Sequence, residues 1–191
     1  MNKSAANLVR TLLLAATVGL TSSCGAAVRH NTATVKSVLL TSPAFKNGRW
    51  MPQRYTIAGA DISPPLAWGS VPRSTRSILI EMIDPDAPRP APFTHWLIFN
   101  IPPGMGRLPA GIARRGHLRA PPGARQGTNS FGFIGYGGPA PPPGPAHHYH
   151  IQIYALDELL SLPAGIRAAA LHQAIRGHIL ARGTLIVRWG R

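Results

Sequence analysis

A mainly β fold is predicted by three observations. Gly and Pro supply 20 residues each of 191, too many turn formers for a helical bundle. Hydrophobic residues reach 45%, enough for a core, and they come as short or alternating apolar runs. The gaps between those runs are too short for repeated crossover helices, which argues against a parallel βαβ arrangement. The length fits one domain behind an N-terminal leader.

Strands are expected at 35–41, 54–57, 77–83, 95–101, 149–156 and 184–189, where apolar residues alternate or run together. Turn-rich stretches separate them: Ser63-Pro64-Pro65, residues 85–92, Pro102-Pro103-Gly104 and residues 135–145. Residues 104–128 show no clean period and carry Arg107, Arg114, Arg115, Arg119, Arg125 and His117. They are expected to form a long surface loop, a class that often carries function. One helix is expected over 164–181, with Ile166, Ala170, Leu171, Ala174, Ile175 and Ile179 along one stripe. Ser161 is placed to cap it, Pro163 suits its first turn and Gly183 can end it. Gly177 is its weak point, at a cost of about 1 kcal/mol relative to Ala. Residues 157–160 are expected to add a short helical turn.

The N-terminus reads as an export signal over 1–24. Lys3 and Arg10 form its positive start, and residues 12–20 are an apolar run too short to span a membrane. Cys24 follows small residues, where a bacterial lipoprotein signal places its modified cysteine; Thr21 stands where such signals usually carry Leu. The expectation is lipidation at Cys24, with plain secretory cleavage nearby as the alternative. Residues 25–34 form a tether, and 35–191 the folded domain. A single cysteine excludes an internal disulfide framework and a multi-cysteine zinc site.

Twenty basic residues face six acidic ones, a net charge of +14. An exported chain so basic is expected to meet an anionic membrane surface rather than nucleic acid. With only six carboxylates, Asp84-Pro85-Asp86 stands out beside the apolar run that ends at Ile83. Two residues apart in extended chain, Asp84 and Asp86 can point the same way; the alternative is a turn in which both bond local backbone N–H groups. His95 opens a strongly apolar strand, and strict alternation puts it on one face with Leu97 and Phe99, opposite Trp96 and Ile98. His147 and Tyr149 share a face at the mouth of the following strand, above Ile151 and Ile153. His148 and His150 share the other face. They lack a third ligand on that strand, so no metal is expected.

Together, Ser63-Pro64-Pro65-Leu66-Ala67-Trp68, Asp84-Pro85-Asp86-Ala87-Pro88, His95-Trp96, residues 131–138 (FGFIGYGG) and the stretch from Pro141 through Gly144 to Tyr149 resemble the phosphatidylethanolamine-binding protein family. The likeness is to its bacterial branch of Raf kinase inhibitor-like proteins. The blocks run in order over nearly all of 35–191. The resemblance implies an antiparallel β-sandwich with one or two C-terminal helices. It also implies a small anion pocket at one end, formed by Asp84, Asp86, His95, Gly138, His147 and Tyr149, that takes phosphate-type groups. Two departures are visible. His148 stands where Arg is usual, which is expected to remove a salt bridge near the pocket. The arginines of 107–125 give that loop a stronger positive field, expected to steer anions.

The function expected is that of an exported, lipid-anchored binding protein for a small anionic or phosphorylated ligand, with no cofactor and with regulatory output. The alternatives are a hydrolase using Asp84 or Asp86 with His95 or His147, or a basic membrane-surface binding module. No G-x-S-x-G elbow is present to support hydrolysis, and the sequence names no protein partner.

Overall fold

A computed structural model describes residues 35–88, 90 and 92–190. The expected leader with Cys24 and the tether lie outside the described residues. Among the described residues there are ten strands: β1 (Lys36–Ser37), β2 (Leu40–Thr41), β3 (Arg49–Trp50), β4 (Leu66–Trp68), β5 (Ser77–Asp84), β6 (Phe93–Ile101), β7 (Arg107–Leu108), β8 (Arg125–Gln126), β9 (His147–Leu156) and β10 (Ile179–Trp189). One helix, α1 (Ala168–Ala174), lies between the last two.

The large sheet has the order β1-β10-β9-β5-β6-β8, with β3 also beside β10; the small sheet is β2-β4-β7. Neighbours from β10 through β8 are antiparallel, whereas β1 and β3 run parallel to β10. The two sheets face each other across one core. Leu40, Leu66, Trp68 and Leu108 of the small sheet join Ile80, Trp96, Ile98, Ile151, Ile153 and Val187 of the large one. A second apolar layer, Leu79, Leu97 and Phe99 with Leu171 and Ile175, packs α1 on the outer face of the large sheet. Each such side chain, fully buried, contributes about 1.5–3 kcal/mol of transfer free energy. The fold is therefore mainly β, a sandwich with a C-terminal helix on its outer face.

Four local expectations need correction. The run 35–41 divides between sheets: Val38 N–H donates to Arg182 O, and two residues later Leu40 pairs with Trp68. Residues 54–57 do not form a strand, because Gln53–Tyr55 turn as a 3-10 helix closed by Thr56 Oγ1 donating to Gln53 O at 2.8 Å. Residues 157–160 make a bend rather than a helical turn. The helix is shorter than its apolar stripe. Before it, Thr128 N–H donates to Ile166 O and Gly165 N–H to Gln126 O, which holds 165–166 against the loop. After it, Gly177 takes φ +83° and Ile179 begins β10. Ile166 and Ile179 still pack against the same layer as Leu171 and Ile175, so the stripe marked a shared core and not a continuous helix. His172 of α1 ties the helix to the sheet through the buried Glu81 carboxylate at 2.7 Å.

The register of β6 against β5 positions the site. Two bulges interrupt it, one between the pairs Ile78↔Ile101 and Ile80↔Ile98, the other between Met82↔Trp96 and Ile83↔Thr94. The first contains Asn100, at φ +58°. Its amide bonds both Leu160 O and Leu160 N–H at 2.9 Å, which offsets the cost of that backbone. The second inserts His95 as an unpaired extra residue. An extra residue shifts the alternation by one, so His95 leaves the face of Leu97 and Phe99 and joins that of Trp96. The expectation from strict alternation is thereby overturned.

Candidate functional site

At one end of the sandwich the end of β5, the starts of β6 and β9 and the loop 130–142 enclose a cavity of about 430 Å³. Asp84, His95, His147 and Tyr149 line it together, with Phe93, Ser130, Phe131 and Pro141 among their neighbours. Asp84 and His147 reach it from facing strand ends. Their contact is an ion pair between lining side chains: His147 Nδ1–H donates to Asp84 Oδ2 at 2.7 Å. The other carboxylate oxygen accepts the backbone N–H of Asp86 at 2.9 Å. Asp84 is only 4% exposed, and these two bonds offset the cost of burying its charge.

His95 is buried, and its Nδ1 lies 2.7 Å from Gly137 O. A carbonyl only accepts, so the proton sits on Nδ1 and Nε2 is left as the free ring nitrogen. Burial pushes the His95 pKa below the ordinary histidine value; the Gly137 carbonyl and the Asp84 charge oppose that shift without reversing it. The Tyr149 phenol is buried, and its Oη has no hydrogen-bond partner among the described residues. Burial, then the nearby Asp84 charge, drive its pKa far up, so it remains an O–H donor. The His95 and Tyr149 rings meet edge to face at 5.2 Å, and His147 lies over Tyr149 at 6.4 Å. The cavity thus combines one acceptor nitrogen, one unspent O–H donor and an imidazole held by a carboxylate, above an apolar wall.

Two of the six expected site residues lie outside the cavity lining. Asp86 turns outward, where its Oδ2 accepts from His148 N–H at 2.8 Å and from His148 Nδ1 at 2.9 Å. The backbone bond leads the causes that hold its pKa down. His148 therefore makes its own contact with Asp86 where loss of a salt bridge was expected. Gly138 donates its N–H to Asp61 Oδ1 at 2.7 Å, so that group is already bonded within the protein. A Cβ there would meet Tyr55 O at 2.6 Å, which is why glycine is needed at this approach. Among the described residues no group of three His, Cys, Asp or Glu side chains is placed to hold a metal.

Asp61 was not singled out in the sequence, yet it organises the loop behind His95. Its carboxylate pairs with Arg114, whose Nε also donates to Tyr136 O at 2.7 Å and whose Nη2 donates to Asp61 O at 2.6 Å. Arg125 is likewise spent on Leu162 O. Two of the five loop arginines are thus structural, and a steering role is left to Arg107, Arg115 and Arg119. Its place just before Ser63-Pro64-Pro65, in a chain with six carboxylates, was the signal available for Asp61.

The family profile of phosphatidylethanolamine-binding proteins matches residues 41–190. The chain belongs to the phosphatidylethanolamine-binding protein family. Relatives agree with this placement. A UPF0098 protein of Pyrococcus horikoshii is 42% identical over 152 residues, covering 79% of this chain and 76% of its own. The UPF0098 protein YbcL of Escherichia coli is 37% identical over 123 residues, covering 61% and 67%. Crystal structures of YbcL (TM-score 0.76, 30% identity, 81% of this chain and 99% of that one) and of a Chlamydia trachomatis homologue (TM-score 0.73, 35%, 82% and 99%) share the fold. Within this phosphatidylethanolamine-binding protein homologue, the five motif blocks and the matched span coincide.

The roles of the loop arginines separate by substitution. Arg114→Gln should remove the Asp61 pair and two backbone bonds, lowering stability in urea unfolding by about 1–3 kcal/mol. Arg115→Gln, at an exposed position that hydrogen-bonds through its backbone, should leave it within about 0.5 kcal/mol. Equal effects would contradict the assignment.

Proposed function

We propose that this family member is a binding protein for a small phosphate-type anion, held in the cavity by His147, Tyr149 and His95. The observation that carries the reading is the buried Tyr149 hydroxyl, without a partner among the described residues, beside an Asp84-oriented imidazole. A buried polar group left unbonded costs about 1–3 kcal/mol, a cost that a ligand oxygen accepting from it would remove. Asp84 acts through His147: the carboxylate holds the ring by Nδ1 and leaves Nε2 for the cavity. The apolar side of the cavity, from Phe93, Phe131 and Pro141, fits the uncharged part of a substituted phosphate.

The Asp84–His147 pair also has the form of a general base held by a carboxylate, which favours hydrolysis as a second reading. Against it, no serine, threonine or cysteine among the described residues is hydrogen-bonded to His147 Nε2, and Ser130 Oγ in the cavity accepts the Thr94 N–H at 2.9 Å. We read the site as non-catalytic.

Export and anchoring belong to the same proposal. The apolar run before Cys24 and the net charge of +14 support a lipid-anchored domain held against an anionic membrane surface. Among the described residues no helix is long and apolar enough to cross a membrane. The intact mass of membrane-extracted protein tests this: acyl additions on an N-terminal Cys24 are expected, and cleavage beyond Cys24 would rule the anchor out.

Calorimetric titration with a phosphomonoester tests the pocket. His147→Ala should lose a charge-assisted bond worth about 1.5–3 kcal/mol, one to two decades of affinity. His150→Ala, on the opposite face of β9, should change little. Equal losses at both positions, no loss at His147 or turnover of the ester would contradict the reading.

A further inference from the structure

We propose that the cavity selects a singly protonated phosphoryl group, as in a phosphomonoester monoanion, over oxyanions of similar shape that carry no proton. The inference rests on the anion-pocket reading above and adds to it the protonation state of the ligand. Phosphodiesters, lipid headgroups included, and sulfate esters fall in the disfavoured class.

The polarity of the cavity wall leads there. His95 Nδ1 is committed to the Gly137 carbonyl at 2.7 Å, so Nε2 presents a lone pair. A lone pair facing an unprotonated oxyanion repels it, whereas a P–OH group can donate to it. Tyr149 supplies the complementary element, a buried O–H donor with no partner among the described residues. A wall with an acceptor beside a donor matches a ligand headgroup that carries both a hydroxyl and an anionic oxygen.

Charge points the same way. The buried Asp84 carboxylate lines the cavity, and no Lys or Arg among the described residues does. One carboxylate balanced only by the His147 imidazole, with no further cationic clamp, penalises a dianion more than a monoanion. The groups that bear on His95 are Gly137 and Gly138 of the loop, Asp84 of β5, Asp61 behind the loop, Phe93 of β6, Phe131 of the loop and Tyr149 of β9. None of these reverses the effect of burial, which lowers the His95 pKa below the ordinary histidine value and so favours the neutral ring.

Phenyl phosphate and phenyl sulfate separate the possibilities, because at low pH they share charge and ring and differ in one proton. Both would be titrated calorimetrically into the protein at pH 6.0 and 8.0. Phenyl sulfate keeps one negative charge at both pH values and so reports how the protein's own response to pH acts on a monoanion. The second pKa of a phosphomonoester is about 6, so the monoanion falls from about half at pH 6.0 to about 1% at pH 8.0. Phenyl phosphate should bind at least tenfold tighter than phenyl sulfate at pH 6.0, and the ratio should drop more than tenfold by pH 8.0. His95→Phe should bring the two ligands to equal affinity; the wild-type ratio carries the test even where that variant fails to fold. Equal affinities at pH 6.0, or a ratio that holds to pH 8.0, would overturn the inference and leave the anion pocket standing. Failure of both ligands to bind at either pH would overturn the anion-pocket reading itself.

Discussion

The extra residue that His95 inserts into β6 is the constraint on which the site depends. In a regular strand His95 would share the face of Leu97 and Phe99, which is covered by α1. The bulge between Trp96 and Thr94 moves it to the sandwich face instead, where it meets Tyr149 at 5.2 Å. Phe93 follows to the same side, opposite Asp84. One inserted residue thus brings β6 into the cavity that β5 and β9 open. Pairing on both sides of β5 fixes the position of that bulge, because Met82 pairs with Trp96 and with Ile151 at once.

The scarce carboxylates are the other organising element. Each of the six lies against a basic side chain: Asp61 against Arg114, Glu81 against His172, Asp84 against His147, Asp86 against His148, and Asp157 and Glu158 against His178. In a chain with a net charge of +14, negative charge is spent on fixing neighbours. Asp61 shows the effect over distance. It holds Arg114 on one side and the Gly138 N–H on the other. The adjacent Gly137 carbonyl then accepts the hydrogen bond from His95 Nδ1–H. The polarity of the His95 ring is therefore set by a main-chain carbonyl of the loop. Asp84 does the equivalent for His147 from the opposite wall.

Much of this was legible in the sequence, and the failures have physical causes. Alternation placed His147 and Tyr149 on one face because β9 runs without a bulge through that stretch. The same rule failed for His95, since no residue type marks a bulge the way glycine marks a tight turn. The motif blocks were sufficient for the family and the mainly β sandwich, but they grouped residues by sequence neighbourhood. Asp86 and Gly138 sit in those blocks and yet direct their polar groups to His148 and Asp61. The helix was overextended because Ile166 and Ile179 keep the helical apolar period while lying on other elements. Arg114 read as surface charge, because its partner Asp61 is 53 residues away in the chain.

Binding rests on a ligand oxygen accepting from Tyr149 beside two imidazoles whose Nδ1 atoms are already committed. A crystal structure of the protein soaked in methylphosphonate addresses this directly. The phosphonate is expected in the cavity, with oxygens about 2.5–3.2 Å from Tyr149 Oη and from Nε2 of both His95 and His147. Phosphonate bound only at Arg107, Arg115 or Arg119, with the cavity free of it and Tyr149 Oη bonded to Asp84 instead, would contradict it.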